Sequence, residues 1–277
     1  MLNLAVIGDP ISHSCSLQVH GAAFSALGIP CSYERIRVKK GELQSFLDYA
    51  IEKGLNGFNL TMPHKVDILP YLSGMDDAAK RFGAVNTVLV KEGKLYGFNT
   101  DAEGYIQAVS DAGCQVKDSN VLILGAGGVV RTLALALKDA GAKKIRILNR
   151  TLEKAEEIAE PLSGIGSAGT LKQKELCESC QDCQILVQAT PLGMHGVKED
   201  FSDLTFLECL PKNAMVTDLI YNPPKTALLA KAEELGLSTL NGMGMLIYQA
   251  LLADRIYTGT EFSLKLVYEE VKKVMMP

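Results

Sequence analysis

The feature that most constrains this chain is a short apolar run ending in glycines. Residues Asn120-Val-Leu-Ile-Leu124 pass into Gly125-Ala126-Gly127-Gly128-Val129-Val130-Arg131, and a helical pattern then continues to about residue 140. A strand, a glycine loop and a helix in that order form the opening of a dinucleotide-binding βαβ unit. Glycines allow the tight turn and let backbone N–H groups approach a pyrophosphate at the positive end of the helix. The third position of the fingerprint, usually Gly or Ala, is Val130.

The next strand, residues 144–149, ends in Asn149-Arg150-Thr151, about 20 residues past the glycines, where an NAD-binding unit places an acid for the ribose 2′-hydroxyl. Asn149 stands there instead. Arg150, with Lys154 one helical turn on, offers two cations where a 2′-phosphate would sit, which points to NADP. The competing reading is a solvated surface pair among Glu153, Glu156 and Glu157.

Further apolar runs at residues 185–189 and 215–220 complete a doubly wound sheet of four strands. A separate alternation precedes it, with strands at residues 4–7, 32–38, 57–60 and 86–90 and helical patterns at 17–27 and 43–52. A hairpin through Glu92-Gly93-Lys94 adds an antiparallel strand to an otherwise parallel sheet. The fold class is therefore α/β with two domains: residues 1–100, then a nucleotide domain over 101–242. The tail, 243–277, carries two helical patterns and no strand. At roughly 150 residues per domain, a chain of 277 residues suits this division.

Composition narrows the function classes. With 28 Lys plus Arg against 32 Asp plus Glu, the net charge of −4 gives no bulk electrostatic grip on nucleic acid. No run reaches the ~18 uncharged apolar residues of a membrane helix, and the N-terminus reads as a first strand, so a cytoplasmic protein is expected. Seven scattered cysteines read as reduced thiols rather than a disulfide framework. Cys177-x-x-Cys180-x-x-Cys183 looks like the start of an iron–sulfur run, but Val187 occupies the fourth ligand position, so no metal is expected there.

Three segments of the first domain gather small polar groups at strand ends: residues 11–16, Asn59-Leu-Thr61-Met-Pro-His-Lys65, and Asn99-Thr100-Asp101. Strand ends line the crevice where α/β sheets bind ligands. His13, His20 and His64 fall nearby without metal-ligand spacing, and are read as packing or hydrogen-bonding residues.

Taken together, these motifs resemble the shikimate dehydrogenases, with the shikimate/quinate enzymes as the wider family. The resemblance rests on Gly8-Asp-Pro-Ile-Ser-His-Ser14-Cys-Ser16, Asn59-Leu-Thr61-Met-Pro-His-Lys65, Ala84-Val-Asn86-Thr and Gly97-Phe-Asn-Thr-Asp101. It continues through the glycine loop, Asn149-Arg-Thr151, Ala189-Thr-Pro-Leu-Gly193, Asp218-Leu-Ile-Tyr221-Asn-Pro and Gly244-Met-Leu-Ile-Tyr-Gln249, all in family order. It implies an N-terminal substrate domain, a Rossmann-like NADP domain, and C-terminal helices that return to the first domain.

The resemblance further implies reversible, NADP-linked reduction of 3-dehydroshikimate to shikimate, in the supply of aromatic amino-acid precursors. Lys65 and Asp101 are the implied catalytic pair, and Ser14, Ser16, Thr61, Asn86, Tyr221 and Gln249 the implied substrate contacts. Implied cofactor contacts are Gly125, Ala126, Gly127, Gly128, Val129, Asn149, Arg150, Thr151, Lys154, Thr190, Leu219 and Gly242. The chain departs from the family at Leu17 and Gly21, in place of a proline and a polar residue, and at Val129 and Val130, in place of small ones.

The chemistry suits these residues. Hydride addition to a ketone builds negative charge on oxygen, and an ammonium can both stabilise that charge and give up the proton. Lys65 is the expected donor, with Asp101 holding it in place, and no metal is required. The expected partner is a small-molecule substrate, with neither nucleic acid nor membrane, in a monomer or homodimer. Quinate or quinate/shikimate oxidation with NAD(P) is the alternative within the family; a shikimate-sensing module without turnover is the alternative outside it.

Overall fold

The computed structural model describes residues 1–12 and 14–276. The chain forms two compact units, one from Met1 to Gly104 together with the chain from Leu246 on, the other from Tyr105 to Met245.

In the first unit the order is β1 (Leu2–Gly8), α1 (Ser16–Leu27), β2 (Cys31–Arg37), α2 (Leu43–Glu52), β3 (Gly57–Leu60), α3 (His64–Asp67), β4 (Gly74–Met75), α4 (Asp77–Phe82), β5 (Thr87–Lys91) and β6 (Lys94–Phe98). The sheet runs β2-β1-β3-β5-β6-β4, with β1 parallel to both neighbours and β5 antiparallel to both of its own. The β5–β6 turn places Glu92 and Gly93 at φ 53° and 70°, the pair of positive values a two-residue type I′ hairpin needs. Side chains alternate across β1. Ala5 and Ile7 pack with Phe46, Leu47 and Phe58, while Leu4 packs with Phe24, Ala253 and Tyr257.

α5 (Asp101–Asp111) leads into the second unit, which holds β7 (Asn120–Leu124), α6 (Val130–Asp139), β8 (Lys144–Asn149), α7 (Leu152–Ala159), β9 (Gly166–Thr170), α8 (Gln173–Cys180), β10 (Ile185–Gln188), β11 (Met215–Asp218), α9 (Ala227–Glu234) and β12 (Ser238–Leu240). Its sheet is wholly parallel, in the order β12-β11-β10-β7-β8-β9. It has six strands, two more than the sequence reading. The additional two, β9 and β12, are the edges: with one neighbour each and a part-exposed face, they lack the apolar run that marks β7 or β10. The strand order reverses between β7 and β10, the position at which such sheets form a binding crevice.

The chain ends in α10 (Met243–Thr258) and α11 (Leu264–Met275). From Leu246 on it belongs to the first unit, where α11 packs on α1. Among the described residues no helix is long and apolar enough to cross a membrane.

One pair of cysteines departs from the expectation of reduced thiols: Cys177 is bonded to Cys209, a residue outside the Cys177–Cys183 run. The packing of α8 against the 3-10 turn Thr205–Cys209 brings these distant residues together, a proximity that spacing does not reveal. Cys15, Cys31, Cys114, Cys180 and Cys183 are free thiols.

Candidate functional site

In the first unit the polar segments converge at the ends of β1, β3 and β6. Lys65, on the short helix α3, donates from Nζ to Asp101 Oδ2 at 2.5 Å. The lysine side chain is 28% exposed and that of Asp101 only 9%. The turn carrying Lys65 is held from behind. His64 is fully buried with its Nε2 2.6 Å from the Val38 carbonyl, and Val85 N–H donates to the Lys65 carbonyl at 2.8 Å.

Asp101 opens α5, where its backbone N–H donates to Asn99 Oδ1. Its second oxygen, Oδ1, accepts from Asn86 Nδ2 at 3.0 Å. Asn86 is the hub of the cluster. Its Nδ2 also lies 2.8 Å from Thr100 Oγ1 and 3.2 Å from Gln249 Oε1, and its Oδ1 accepts from Thr100 N–H at 2.9 Å. Gln249, on α10, is thereby brought into the cluster from far along the chain. Asn59 supports the hub by donating to the Asn86 carbonyl and to Thr87 Oγ1.

Ser14 and Ser16 lie at the entrance to α1, with Ser14 Oγ donating to Ser16 Oγ at 3.0 Å. Their loop is fastened from β2, where Arg35 donates to the Ser12 carbonyl and Arg37 pairs with Asp9. Thr61 donates its backbone N–H to the Ile7 carbonyl. A Cβ on Gly8 would stand 2.3 Å from Thr61 Cγ2, so only glycine lets these two strand ends close up. His13 lies outside the described residues. The departures Leu17 and Gly21 line a shallow cavity of about 360 Å³ with Phe24, Cys31 and Tyr33, and no named site residue shares that wall.

In the second unit Gly125 has φ 109°, and a Cβ there would be 3.0 Å from the backbone of Ala189 and from Thr190 Cγ2. The glycine loop after β7 thus lies against the segment after β10. Gly127 and Gly128 are exposed, and an added Cβ at Gly128 would meet nothing within 4 Å. Val129, the N-cap of α6, makes no side-chain capping bond, and Val130 is fully buried in the first turn, so the larger residue is accommodated inside the unit.

Asn149 donates from Nδ2 to the Thr151 carbonyl. Arg150, Thr151 and Lys154 are exposed, and Arg150 has Glu199 at 3.9 Å. Thr190 is shaped by Gln188, whose buried side chain accepts from Thr190 N–H and donates to the carbonyls of Thr190 and Leu192. Leu219 and Gly242 touch: a Cβ on Gly242 would sit 2.1 Å from the Leu219 oxygen. Asp218, just before Leu219, accepts from Thr226 Oγ1 and Ile220 N–H, and burial pushes its carboxyl up to about 6. Tyr221 follows on the same segment, half-buried.

Asn59 and Thr100, members of the polar strand-end segments that carried no individual role in the sequence reading, complete the hydrogen bonds around Asn86. Gln188, behind Thr190, is absent from the sequence-derived site altogether; a polar residue ending the apolar strand β10 is the signal that could have identified it.

A doubly wound nucleotide unit with a glycine loop at its switch point, joined in one chain to a unit presenting a lysine–carboxylate pair, defines a pyridine-nucleotide-linked oxidoreductase. Residues 6–88 match the shikimate dehydrogenase substrate-binding domain, and residues 107–204 match the shikimate/quinate 5-dehydrogenase model. The shikimate dehydrogenase (NADP(+)) of Alkaliphilus oremlandii is 41% identical over 91% of this chain and 90% of its own. The crystal structure of the Thermus thermophilus shikimate 5-dehydrogenase in complex with NADP(H) and shikimate superposes with a TM-score of 0.84 at 34% identity, covering 99% of this chain and 100% of that one. The ligand-free 5-ketofructose reductase of a Gluconobacter strain shares the fold, with a TM-score of 0.82 at 29% identity over 99% of this chain and 98% of its own. The chain belongs to the shikimate dehydrogenase family, and is an oxidoreductase acting on a CH–OH group.

Proposed function

We propose that this protein interconverts 3-dehydroshikimate and shikimate with NADP as the redox partner, in the supply of aromatic amino-acid precursors. The observation that carries the reading is the Lys65–Asp101 contact, with the lysine side chain part-exposed and the carboxylate anchored by Asn86. An ammonium has three donors, of which Asp101 takes one, leaving Lys65 able to donate to a ketone oxygen. As negative charge grows on that oxygen during reduction, Lys65 transfers its proton there; in the reverse direction it accepts the proton from the hydroxyl. Asp101 orients the amine in both directions.

Ser14, Ser16, Thr61, Asn86, Tyr221 and Gln249 are assigned to the hydroxyls and carboxylate of the ring substrate. Hydroxyl and amide side chains supply both the donors and the acceptors that such a ligand requires. The second unit suits NADP: exposed glycines, an α6 N-terminus whose N-cap, Val129, makes no side-chain capping bond, and Arg150 with Lys154 exposed where a 2′-phosphate is expected. Residues 125–129, Asn149, Arg150, Thr151, Lys154, Thr190, Leu219 and Gly242 are assigned to hold it, and the cofactor supplies the hydride chemistry when bound.

A steady-state assay with shikimate and NADP+, run beside quinate and beside NAD+, tests the reading. Turnover of shikimate with NADP+ at a kcat/KM well above that of any other pairing is expected. A preference for quinate, which the broader family model also covers, would move the assignment to the sister activity.

A further inference from the structure

The first unit contains a second polar pair that the proposed reaction does not use. His20 on α1 and Asp254 on α10 are both fully buried and meet through Nδ1 and Oδ1 at 2.6 Å. Among the described residues His20 Nε2 and Asp254 Oδ2 have no hydrogen-bond partner, and the Nδ1–Oδ1 contact is what joins the two side chains. Burial pushes the Asp254 carboxyl up. A pair of apolar side chains of similar volume would serve packing as well or better. Stability therefore does not account for the pair.

Its place in the fold does. Ser16 begins α1 about one helical turn before His20, and Gln249 lies on α10 little more than a turn before Asp254. The His20–Asp254 bond thus sets the helix that starts at the serines against the helix that carries Gln249. The imidazole also stacks on Tyr33, with ring centroids 4.4 Å apart and planes 17° from parallel. Tyr33 in turn donates to Asn59 Oδ1 at 2.8 Å, and Asn59 supports Asn86, which holds both Asp101 and Gln249. Contacts run without a break from Asp254 to the carboxylate beside Lys65.

We propose that His20 and Asp254, with Tyr33 between them and the site, are positioning residues for the ring substrate: they set the spacing between the Ser14–Ser16 entrance and Gln249 and hold Asn86 from behind. The inference rests on the reading of this cluster as the shikimate pocket. It predicts an effect on substrate affinity without an effect on cofactor affinity, which a general structural role would not produce.

The test uses the double variant His20→Phe/Asp254→Leu, which removes both polar partners, keeps an aromatic ring against Tyr33 and leaves no buried charge unpaired. The expected result is a KM for shikimate raised about 10-fold, a KM for NADP+ unchanged, and a melting temperature no lower than that of the unmodified protein. His20→Asn, which returns a donor near the Nδ1 position, is expected to recover most of the lost affinity. Tyr33→Phe, which deletes a single oxygen and is the variant that stands if the double one does not fold, should raise the same KM by roughly 2- to 13-fold. A shikimate KM that stays at the unmodified value in the folded double variant, or in Tyr33→Phe, overturns the proposal. If the unmodified protein itself fails to turn over shikimate with NADP+, the functional reading falls and the positioning role falls with it.

Discussion

Asp101 and Arg150 are both charged residues assigned to the reaction, and their surroundings are opposites. The Asp101 side chain is 9% exposed and is held by Lys65 and Asn86; the Arg150 side chain is 86% exposed, with Glu199 no closer than 3.9 Å. The same contrast runs through their units. In the first, amides and hydroxyls are spent on one another before any ligand arrives; in the second, glycines, an α6 N-terminus whose N-cap makes no side-chain capping bond and two basic side chains face outward. A proton donor must stand in place before charge develops, so its ordering is completed during folding. Arg150 stands in water, where salt screens its charge, so its contribution to cofactor binding depends on ionic strength.

The sharpest way to break this contrast is to remove the preorganised donor. Lys65→Ala is expected to lower kcat by about 10²- to 10⁴-fold with little change in the shikimate KM, and Asp101→Asn to fall steeply as well. Because the two act as a unit, the double variant should lose far less than the product of the single losses. Steady-state kinetics decide it, and a Lys65→Ala protein with unchanged kcat would remove the lysine from the mechanism.

The outward-facing unit also holds a buried titrating group of its own, which limits the contrast. Burial raises the Asp218 carboxyl to about 6 in the folded state, above its ordinary value of 3.8. The folded protein therefore binds a proton more tightly than the unfolded chain between those values. The resulting stabilisation is complete below pH ~3.8 and lost as pH rises to ~6 and beyond, on the order of 3 kcal/mol in all. Chemical denaturation from pH 4 to 8 should show that decline, and Asp218→Asn should flatten it; an identical slope in the variant would assign the decline elsewhere.

Arg150 tests the exposed side directly. A charged hydrogen bond of ~1.5–3 kcal/mol corresponds to a preference for NADP over NAD of about 10- to 150-fold in kcat/KM, with Lys154 adding less. Arg150→Ala should raise the KM for NADP+, leave NAD+ kinetics nearly untouched and reduce the salt sensitivity of the preference. Equal use of both cofactors by the unmodified protein at low ionic strength would contradict the assignment.

The smallest effect sharpens the boundary of the preorganised cluster. Gln249→Ala removes one neutral hydrogen-bonding group, worth ~0.5–1.5 kcal/mol, and should cost roughly 2- to 13-fold in kcat/KM for shikimate. Loss of thermal stability with unchanged kinetics would make Gln249 a structural amide supporting Asn86 and nothing more.

Local pattern was enough to read much of this molecule. β7, the glycine loop and α6 are adjacent in the chain and each carries its own signal: an apolar run, residues tolerant of positive φ, and a 3.6-residue repeat. The Glu92-Gly93 hairpin and the two tail helices were legible for the same reason. Edge strands β9 and β12 were not, because a strand with one neighbour need not be apolar. The Cys177–Cys209 bond was not either, since its two ends meet only through the packing of α8 on a distant turn.

The site divides along the same line. Which residues to propose for the chemistry came from the order of motifs and the family they resemble: a lysine after Thr61-Met-Pro-His, an aspartate opening a helix, an asparagine where an acid is usual, an arginine beside it. Their relations could not. That Asn86 binds both Asp101 and Gln249, that Asn59 and Thr100 complete its hydrogen bonds, and that His20 meets Asp254 across two helices depend on contacts spanning up to 234 positions. Such contacts form when β1, β3, β5, α1 and α10 bury their apolar faces together. Burial then forces the polar atoms left between them to find partners in one another, a requirement that has no counterpart in the linear order of the chain.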